Sequence, residues 1–294
     1  SKNVSIIDSL NNSIITGHYG EIFKAKDSAI ITRRAMAINI VDQDSLFIHA
    51  DTLVATGPQE KRILRGYYDV RILKSDIRGR SDSLYLDQSI GLTKLLSRPL
   101  TNQQEQIFTE ADRNGANPVL WFGESQMSGD KIFLLSNLVT RKLDSLKITG
   151  NIFIIEKDTL SLDGYQQIKG GILNGAFKEG RLDNIVITKN TEMVYYLYND
   201  EDLQLIGIDK TTCSALQMNF NDGQIENITF LVSPNGDVYP EEELPLNDRT
   251  LKGFIWRITE KPETIEDLFD EKDREDQFPE ILSLKFPEEE SKNK

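Results

Sequence analysis

Over much of the chain, short apolar runs alternate with polar positions at a period of two, the pattern of strands whose two faces meet different surroundings. Leu146-Lys-Ile148, Asn151-Ile-Phe-Ile-Ile155, Ile185-Val-Ile187, Met193-Val-Tyr-Tyr-Leu-Tyr198, Leu216-Gln-Met-Asn-Phe220 and Ile228-Thr-Phe230 all read this way. No strong helical stretch interrupts them. A parallel α/β fold needs crossover helices, so the pattern predicts an all-β chain.

A longer self-similarity organises the second half. Gln126-Met-Ser-Gly-Asp-Lys-Ile132 matches Gln167-Ile-Lys-Gly-Gly-Ile-Leu173, and Cys213-Ser-Ala-Leu216 takes the corresponding place further on. Each is followed by a turn and a second strand, at Leu143 to Ile148, Leu182 to Ile187 and Ile225 to Phe230. Lys-Glu-Gly180 and Asn-Asp-Gly223 supply hairpin turns. Each unit is thus a hairpin that cannot bury its apolar face alone, and stacking such hairpins gives an elongated sheet assembly. Matching parity in the hairpins places Ile132, Leu134, Leu146, Ile148, Leu173, Phe177, Ile185, Ile187, Leu216, Met218, Ile228 and Phe230 on its inner face, and Lys147 and Thr229 on its outer face. Periodicity does not decide whether that interior is a closed core or an open groove, because both use the same residue types.

A tripeptide recurs as Asp8-Ser-Leu10, Asp44-Ser-Leu46, Asp51-Thr-Leu53, Asp82-Ser-Leu84, Asp144-Ser-Leu146 and Asp158-Thr-Leu160. Its repetition argues against a catalytic Asp-Ser pair. Asp and Ser or Thr side chains satisfy turn backbone groups, and the Leu then opens a strand.

Composition removes several function classes. The net charge of −13 disfavours capture of nucleic-acid phosphate or of an anionic bilayer. No apolar run reaches the ~18 residues of a membrane-spanning helix, and Ser1-Lys-Asn-Val-Ser5 is not a signal-peptide pattern. One cysteine, Cys213, precludes an intramolecular disulfide and reads as a small buried hydrophobe. His18 and His49 lack a ligand pattern, Glu241-Glu-Glu243 reads as a solvated turn between Pro240 and Pro245, and Gly170-Gly171 is no phosphate loop. No catalytic residue, metal or cofactor is predicted.

Two segments differ from the body. Residues 98–117 form a polar insertion, read as a surface loop. Residues 260–294 hold 13 acidic against 6 basic residues and are read as an acidic tail after a repeat domain of residues 1–259. Thr264-Ile-Glu-Asp267 suggests a short amphipathic helix with Ile265, Leu268 and Phe269 on one face.

The chain resembles the C-terminal portion of the OstA-like (organic-solvent-tolerance) proteins of Bacteroidetes-type bacteria, relatives of the periplasmic lipopolysaccharide-transport bridge. The resemblance rests on Gly17-His-Tyr-Gly-Glu-Ile22, the run from Asp44 to Thr56, Tyr67-Tyr-Asp-Val-Arg71, Gly79-Arg-Ser-Asp-Ser-Leu84, Pro118-Val-Leu-Trp121, Gln167-Ile-Lys-Gly170, Cys213-Ser214 and Leu251-Lys-Gly-Phe-Ile-Trp-Arg257. It implies an open jelly roll, V-shaped in section, whose apolar groove binds lipopolysaccharide or lipid A through the twelve inner residues. It further implies a non-catalytic role, a periplasmic location, possible outer-membrane association, and contact with other transport proteins by edge-strand addition. Upstream hairpins are expected to be missing, leaving the strand near Ile14-Ile15 as an exposed edge open to head-to-tail self-association. Phe254, Trp256 and Ile258 are expected at the other edge, covered by the tail. The alternatives are a structural β-repeat scaffold for protein contacts and a β-solenoid carbohydrate-active protein; the latter needs clustered carboxylates on one face.

Overall fold

The computed structural model describes residues 2–10, 12–41, 44–99, 101–107, 109–221 and 224–269. Among them the chain is all-β with two short helices. The strands are β1 (Lys2–Asp8), β2 (Ser13–Phe23), β3 (Ser28–Val41), β4 (Asp44–Thr56), β5 (Ile63–Leu73), β6 (Ile77–Asp87), β7 (Leu92–Leu96), β8 (Val119–Phe122), β9 (Ser125–Ser128), β10 (Lys131–Ser136), β11 (Leu143–Lys157), β12 (Tyr165–Lys178), β13 (Arg181–Tyr198), β14 (Leu205–Asn221), β15 (Gln224–Val232) and β16 (Asn235–Tyr239). All pairings are antiparallel and mostly between sequence neighbours, which gives the stacked hairpins that the repeats predict. Glu179 and Gly180 (φ 55° and 85°) turn the β12–β13 hairpin with Lys178 opposite Arg181, the doubly left-handed geometry that favours glycine at the second position. The corresponding Asp222-Gly223 turn lies outside the described residues.

The long strands bend once, and all at the same height. β3, β5, β11 and β13 each carry two consecutive left-handed residues, Arg33-Arg34, Tyr68-Asp69, Gly150-Asn151 and Lys189-Asn190, at which the ladder register shifts. Left-handed backbone costs roughly 1–2 kcal/mol per non-glycine residue, least for Asn and Asp, which hold the second place in three of the four pairs. The bends form a ridge from which two arms descend. Leu146 to Ile148 and Ile152 to Ile155, which read as separate strands, are the two halves of β11; Ile185 to Ile187 and Met193 to Tyr198 are the halves of β13.

Gly17, Gly129 and Gly170 sit at this ridge, where a Cβ would run into Cγ2 of Ile31, Ile148 and Ile187 respectively. Close approach of backbone to side chain therefore fixes glycine at the same point of three units. At the middle of the array the chain breaks at the ridge: β7 and β8 take the places of one bent strand, and β9 and β10 those of the next.

Residues 97–118 fill the first break. They are not a plain loop, as the sequence reading had it: they form α1 (Asn102–Ile107) and α2 (Glu110–Ala116). Thr109 caps α2, its Oγ1 accepting from the Asp112 N–H at 3.1 Å while Asp112 Oδ2 accepts from the Thr109 N–H at 2.7 Å.

The upper arm holds residues 19–32, 52–67, 83–96, 131–149, 172–188, 215–221 and 224–232; the lower arm holds 4–10, 12–16, 35–41, 44–49, 70–80, 119–128, 152–169, 191–213 and 235–239. Their inner faces share one apolar cluster that draws Leu84, Leu95, Ile148 and Leu173 from the upper arm and Ile48, Ile72, Leu120 and Ile154 from the lower. With strands about 4.8 Å apart, this interior runs for roughly 55–60 Å.

The segment after β16 crosses the outer face of the lower arm, against the order of the strands. Leu244, Leu251, Phe254 and Trp256 pack on Phe153, Ile155, Val194 and Tyr196; Leu268 and Phe269 pack on Ile14, Met36, Ile38 and Leu73. This strap corrects two expectations. Phe254 and Trp256 lie on the sheet, not at its edge, and residues 260–269 are packed against the body that was read as ending at 259. The short helix expected there is a 3-10 turn, Glu266–Leu268, with Asp267 Oδ2 accepting from the N–H groups of Glu263 and Thr264. The rest of the expected acidic tail, 270–294, lies outside the described residues.

Ile14 and Ile15 do not form an edge either, because β1 pairs along β2. Among the described residues the edges are β1 at one end and β15 and β16, both paired only with β14, at the other. The recurring Asp tripeptide also divides: Asp158 organises a turn, accepting from the N–H groups of Leu160 and Ser161, whereas Asp51, Asp82 and Asp144 lie within β4, β6 and β11.

Candidate apolar cleft

Near the ridge the arms are in full contact, with Leu53, Leu95, Ile132, Ile148, Ile185, Ile187 and Leu216 completely buried. Toward the free ends they separate. A cavity of about 410 Å³ opens between β3, β4, β5, the start of β6 and β8 on one side and the end of β6, β7, β10, β11 and the β12–β13 turn on the other. Leu46, Ile48, Ile72, Ile77, Leu86, Leu120, Leu134 and Leu143 line its floor. A second cavity of about 160 Å³ continues toward β1 past Ile6, Ile15, Ala37 and Leu64. Asn39, Ile48, Leu86 and Gln88 belong to the walls of both, so the two form one cleft with a waist. On the side toward the C-terminus, Phe122 and Phe177 meet across the arms with ring centroids 5.8 Å apart.

The rim is charged where the floor is oily. On the lower lip, Lys74 Nζ lies 2.7 Å from Asp44 and 2.6 Å from Asp76. Burial pushes the Asp44 carboxyl up, but hydrogen bonds from Lys74 and Ser75 outweigh it and hold it below the usual carboxylate range. Burial likewise works against the Lys74 ammonium, and its two carboxylates overcome that and raise it. On the upper lip stand Arg141, Lys142, Glu179 and Arg181. The 137–142 loop that carries two of them is ordered by Asn137, whose Oδ1 accepts from the N–H groups of Val139 (2.9 Å) and Thr140 (3.0 Å). An amphiphile with acyl chains and a polar head finds both of its halves matched here.

All twelve residues that parity places inward belong to or pack against the shared interior cluster: Ile132, Leu134, Leu146, Ile148, Leu173, Ile185, Ile187, Leu216 and Met218 are buried in it, and Phe177, Ile228 and Phe230 border it half-buried. Lys147 and Thr229 are exposed. Leu134 alone of the twelve lines the open cavity; Leu143 and the Glu179-Gly180 turn of the repeated hairpins also reach it, while the rest of its wall comes from β3 to β8, the end of β10 and the loop after it.

The chain is all-β, and its interior opens as a cleft. No family model matches the sequence, and no curated protein matches it. Among solved structures it is similar to one described as the crystal structure of LptH, the LptA homologous periplasmic component of the conserved lipopolysaccharide transport device from Pseudomonas aeruginosa, with 10% identity, a TM-score of 0.37, and coverage of 56% of this chain and 95% of that chain.

Away from the cleft, charged groups serve one another. Under the strap at the ridge, Arg257 donates to both Glu260 oxygens and to the Asn117 carbonyl, while Arg80 bridges Glu260 (2.8 Å) and Asp69 (3.1 Å). Burial pushes both carboxyls up, but the guanidinium partners prevail and hold each below its usual range. His49 is buried in β4, its ring bonded to the Ala35 carbonyl and set edge-on to Phe269 at 4.8 Å. Cys213 is buried in the interior, and burial pushes its thiol up.

Proposed function

We propose that this chain is a non-catalytic carrier for acylated lipid, of the lipopolysaccharide or lipid A type, working in the periplasm on a route to the outer membrane. The supporting observation is the cleft: apolar along its floor, open along the free ends of the arms, and rimmed by ion pairs and cations. Each methylene withdrawn from water is worth about 0.8 kcal/mol, so a 12-carbon chain left exposed costs on the order of 10 kcal/mol. A trough that takes the chains and leaves phosphates and sugars at Lys74, Arg141, Lys142 and Arg181 removes that cost. The 410 Å³ volume falls within the size range of small-molecule sites.

In this reading the edges β1 and β15/β16 take strands from other transport proteins or from a second copy, head to tail, extending the trough. The motif resemblance to OstA-like proteins points the same way. A photo-crosslinking amino acid at Leu46, Leu134 or Leu143, in protein mixed with lipid A micelles, tests the function. Adducts are expected there and not at Lys147 or Thr229. Labelling confined to the two outer positions, or none at all, overturns it in favour of a scaffold.

A further inference from the structure

The two lips of the cleft carry opposite charge. At the free edge of the upper arm the chain turns at 24–27, 57–62, 87–91, 137–142 and 178–181, and these turns hold eight Lys and Arg against four Asp and Glu. At the free edge of the lower arm the turns at 8–10, 74–76, 123–124, 157–164 and 199–204 hold two against eight. Lys74, on the lower lip, is neutralised between Asp44 and Asp76. Arg141, Lys142 and Lys178, on the upper lip, are exposed and make no ion pair among the described residues. The net charge of −13 is therefore an average over a basic edge and an acidic one.

Apolar side chains stand in the middle of the basic edge. Val139 is 90% exposed and Leu138 47%, and Ile90 beside them is exposed as well. Three turns meet here. The Ser136 N–H donates to the Gly91 carbonyl at 2.9 Å, a Cβ on Gly91 would lie 3.4 Å from Leu138 Cδ2, and a Cβ on Gly180 would lie 3.3 Å from Cβ of Lys142. The loop that carries Leu138 and Val139 is closed by its own backbone as well as by the Asn137 side chain: the Asn137 N–H donates to the Lys142 carbonyl at 2.8 Å and the Arg141 N–H to the Asn137 carbonyl at 2.9 Å. Ile90, Leu138 and Val139 belong to the walls of neither cavity, so an acyl chain in the cleft does not account for them.

We propose that the upper lip docks this chain on an anionic phospholipid bilayer, with Leu138 and Val139 at the boundary of headgroups and acyl chains and Arg141, Lys142 and Lys178 on headgroup phosphates. An apolar tip ringed by cations matches a surface that is negative outside and oily just beneath. A soluble anion would answer the cations and leave Leu138 and Val139 in water. At physiological salt, screening confines the attraction to charges within about 8 Å of the surface, so the facing edge decides the outcome rather than the total charge. The acidic lower lip is repelled and turns away. Arg141 and Lys142 also border the cavity, so docking by this lip sets the mouth of the cleft beside the bilayer. The docking surface goes beyond the carrier reading, because its apolar tip lies outside the cavity and acts whether or not the cavity is filled.

Flotation with vesicles of phosphatidylethanolamine and phosphatidylglycerol, and with vesicles of phosphatidylcholine alone, tests the docking. The full chain is expected to float with the anionic vesicles and not with the neutral ones, and to be released at about 0.5 M salt, where the screening length falls to about 4 Å. Leu138→Ser combined with Val139→Ser is expected to lower vesicle affinity about 10-fold or more, and Lys178→Gln about 5-fold. All three side chains are exposed, so the melting temperature should not move. Leu160→Ser combined with Leu162→Ser removes side chains 50% and 92% exposed from the acidic lip and should leave the affinity unchanged. Absence of flotation, equal flotation with neutral vesicles, or a loss from the Leu138 and Val139 pair no greater than from the Leu160 and Leu162 pair overturns the docking surface. Crosslinking at Leu134 in lipid A micelles reads carriage separately, so a chain that carries lipid and ignores bilayers is told apart from one that does neither.

Discussion

Gln126 and Gln167 hold the strap by the same two hydrogen bonds. Gln126 Nε2 donates to the Ile255 carbonyl at 2.8 Å and its Oε1 accepts from the Arg257 N–H at 2.7 Å; Gln167 Nε2 donates to the Arg249 carbonyl at 2.8 Å and its Oε1 accepts from the Leu251 N–H at 2.9 Å. Both side chains are buried, and β9 and β12, which carry them, flank β11. Each acts as a peptide group standing upright on the sheet, so the strap is paired without being a strand. Replacing either by Ala leaves two buried backbone groups unpaired. Gln126→Ala and Gln167→Ala are each expected to cost about 1–3 kcal/mol in urea denaturation, with hydrogen exchange rising across residues 249–257 before it rises in β12.

Acid is expected to loosen the same strap. Asp69 and Glu260 have folded pKa values below their unfolded ones, so the stability they contribute is present above the unfolded value of roughly 4 and is lost as pH falls through the lower folded value. Melting temperature should be level between pH 8 and about 5 and fall below about 4. Arg80→Met removes the cation that both carboxylates share and should destabilise more at pH 7 than at pH 3. Equal losses at the two pH values would show that Arg80 contributes packing alone.

At the ridge, Gly170→Ala pushes a methyl group into Ile187. Overpacking of this kind costs about 1–3 kcal/mol, and the loss should shrink when Ile187→Ala is added, so the two changes together cost less than their sum. The same coupling is expected between Gly129→Ala and Ile148→Ala. Denaturation midpoints of the single and double variants measure it.

Filling the mouth separates carriage from folding. Leu46 and Leu143 line the cavity and are only half-buried, so Leu46→Trp or Leu143→Trp occupies space a chain would use without entering the sealed interior. Lipid affinity should fall about 10-fold or more, as the loss of two methylene contacts implies, while the melting temperature stays within a few degrees. Lys147→Trp, on the outer face, should leave affinity unchanged.

Cys213 reports on the interior. Burial raises its thiol pKa and hides the sulfur, so reaction with a chromogenic disulfide at pH 8 should be at least about 10-fold slower than for free cysteine. Urea at the unfolding midpoint should abolish the protection.

Parity in the second-half hairpins placed the inner residues of the upper arm, because that arm alternates between a wet face and a dry one. It did not find those of the lower arm. Ile152-Phe-Ile-Ile155 is apolar throughout, since the strap covers Phe153 and Ile155 while Ile152 and Ile154 face inward, and a strand buried on both sides carries no alternation. The ridge left a trace of another sort. Ile31-Thr32, Ile148-Thr149 and Ile187-Thr188 each precede a left-handed pair, a motif short enough to pass for ordinary strand sequence. The strap itself reads as polar and proline-punctuated because side chains, not strand neighbours, satisfy its backbone; only the repeated Gln of β9 and β12 hinted at a shared partner. The waist of the cleft gave no signal, as it comes from the meeting of two arms distant in sequence.

A row of stacked hairpins ordinarily gains stability piece by piece, each unit leaning on its neighbour. Here the end of the strap, at Leu268 and Phe269, returns to lie on Ile14, Met36 and Leu73, at the opposite end of the array from β14. Until it does, the earliest hairpins keep a greasy stripe in contact with water. Coverage by the strap thereby becomes a condition for stability at the opposite end of the array, and the described hairpins are expected to unfold as one cooperative body rather than one by one.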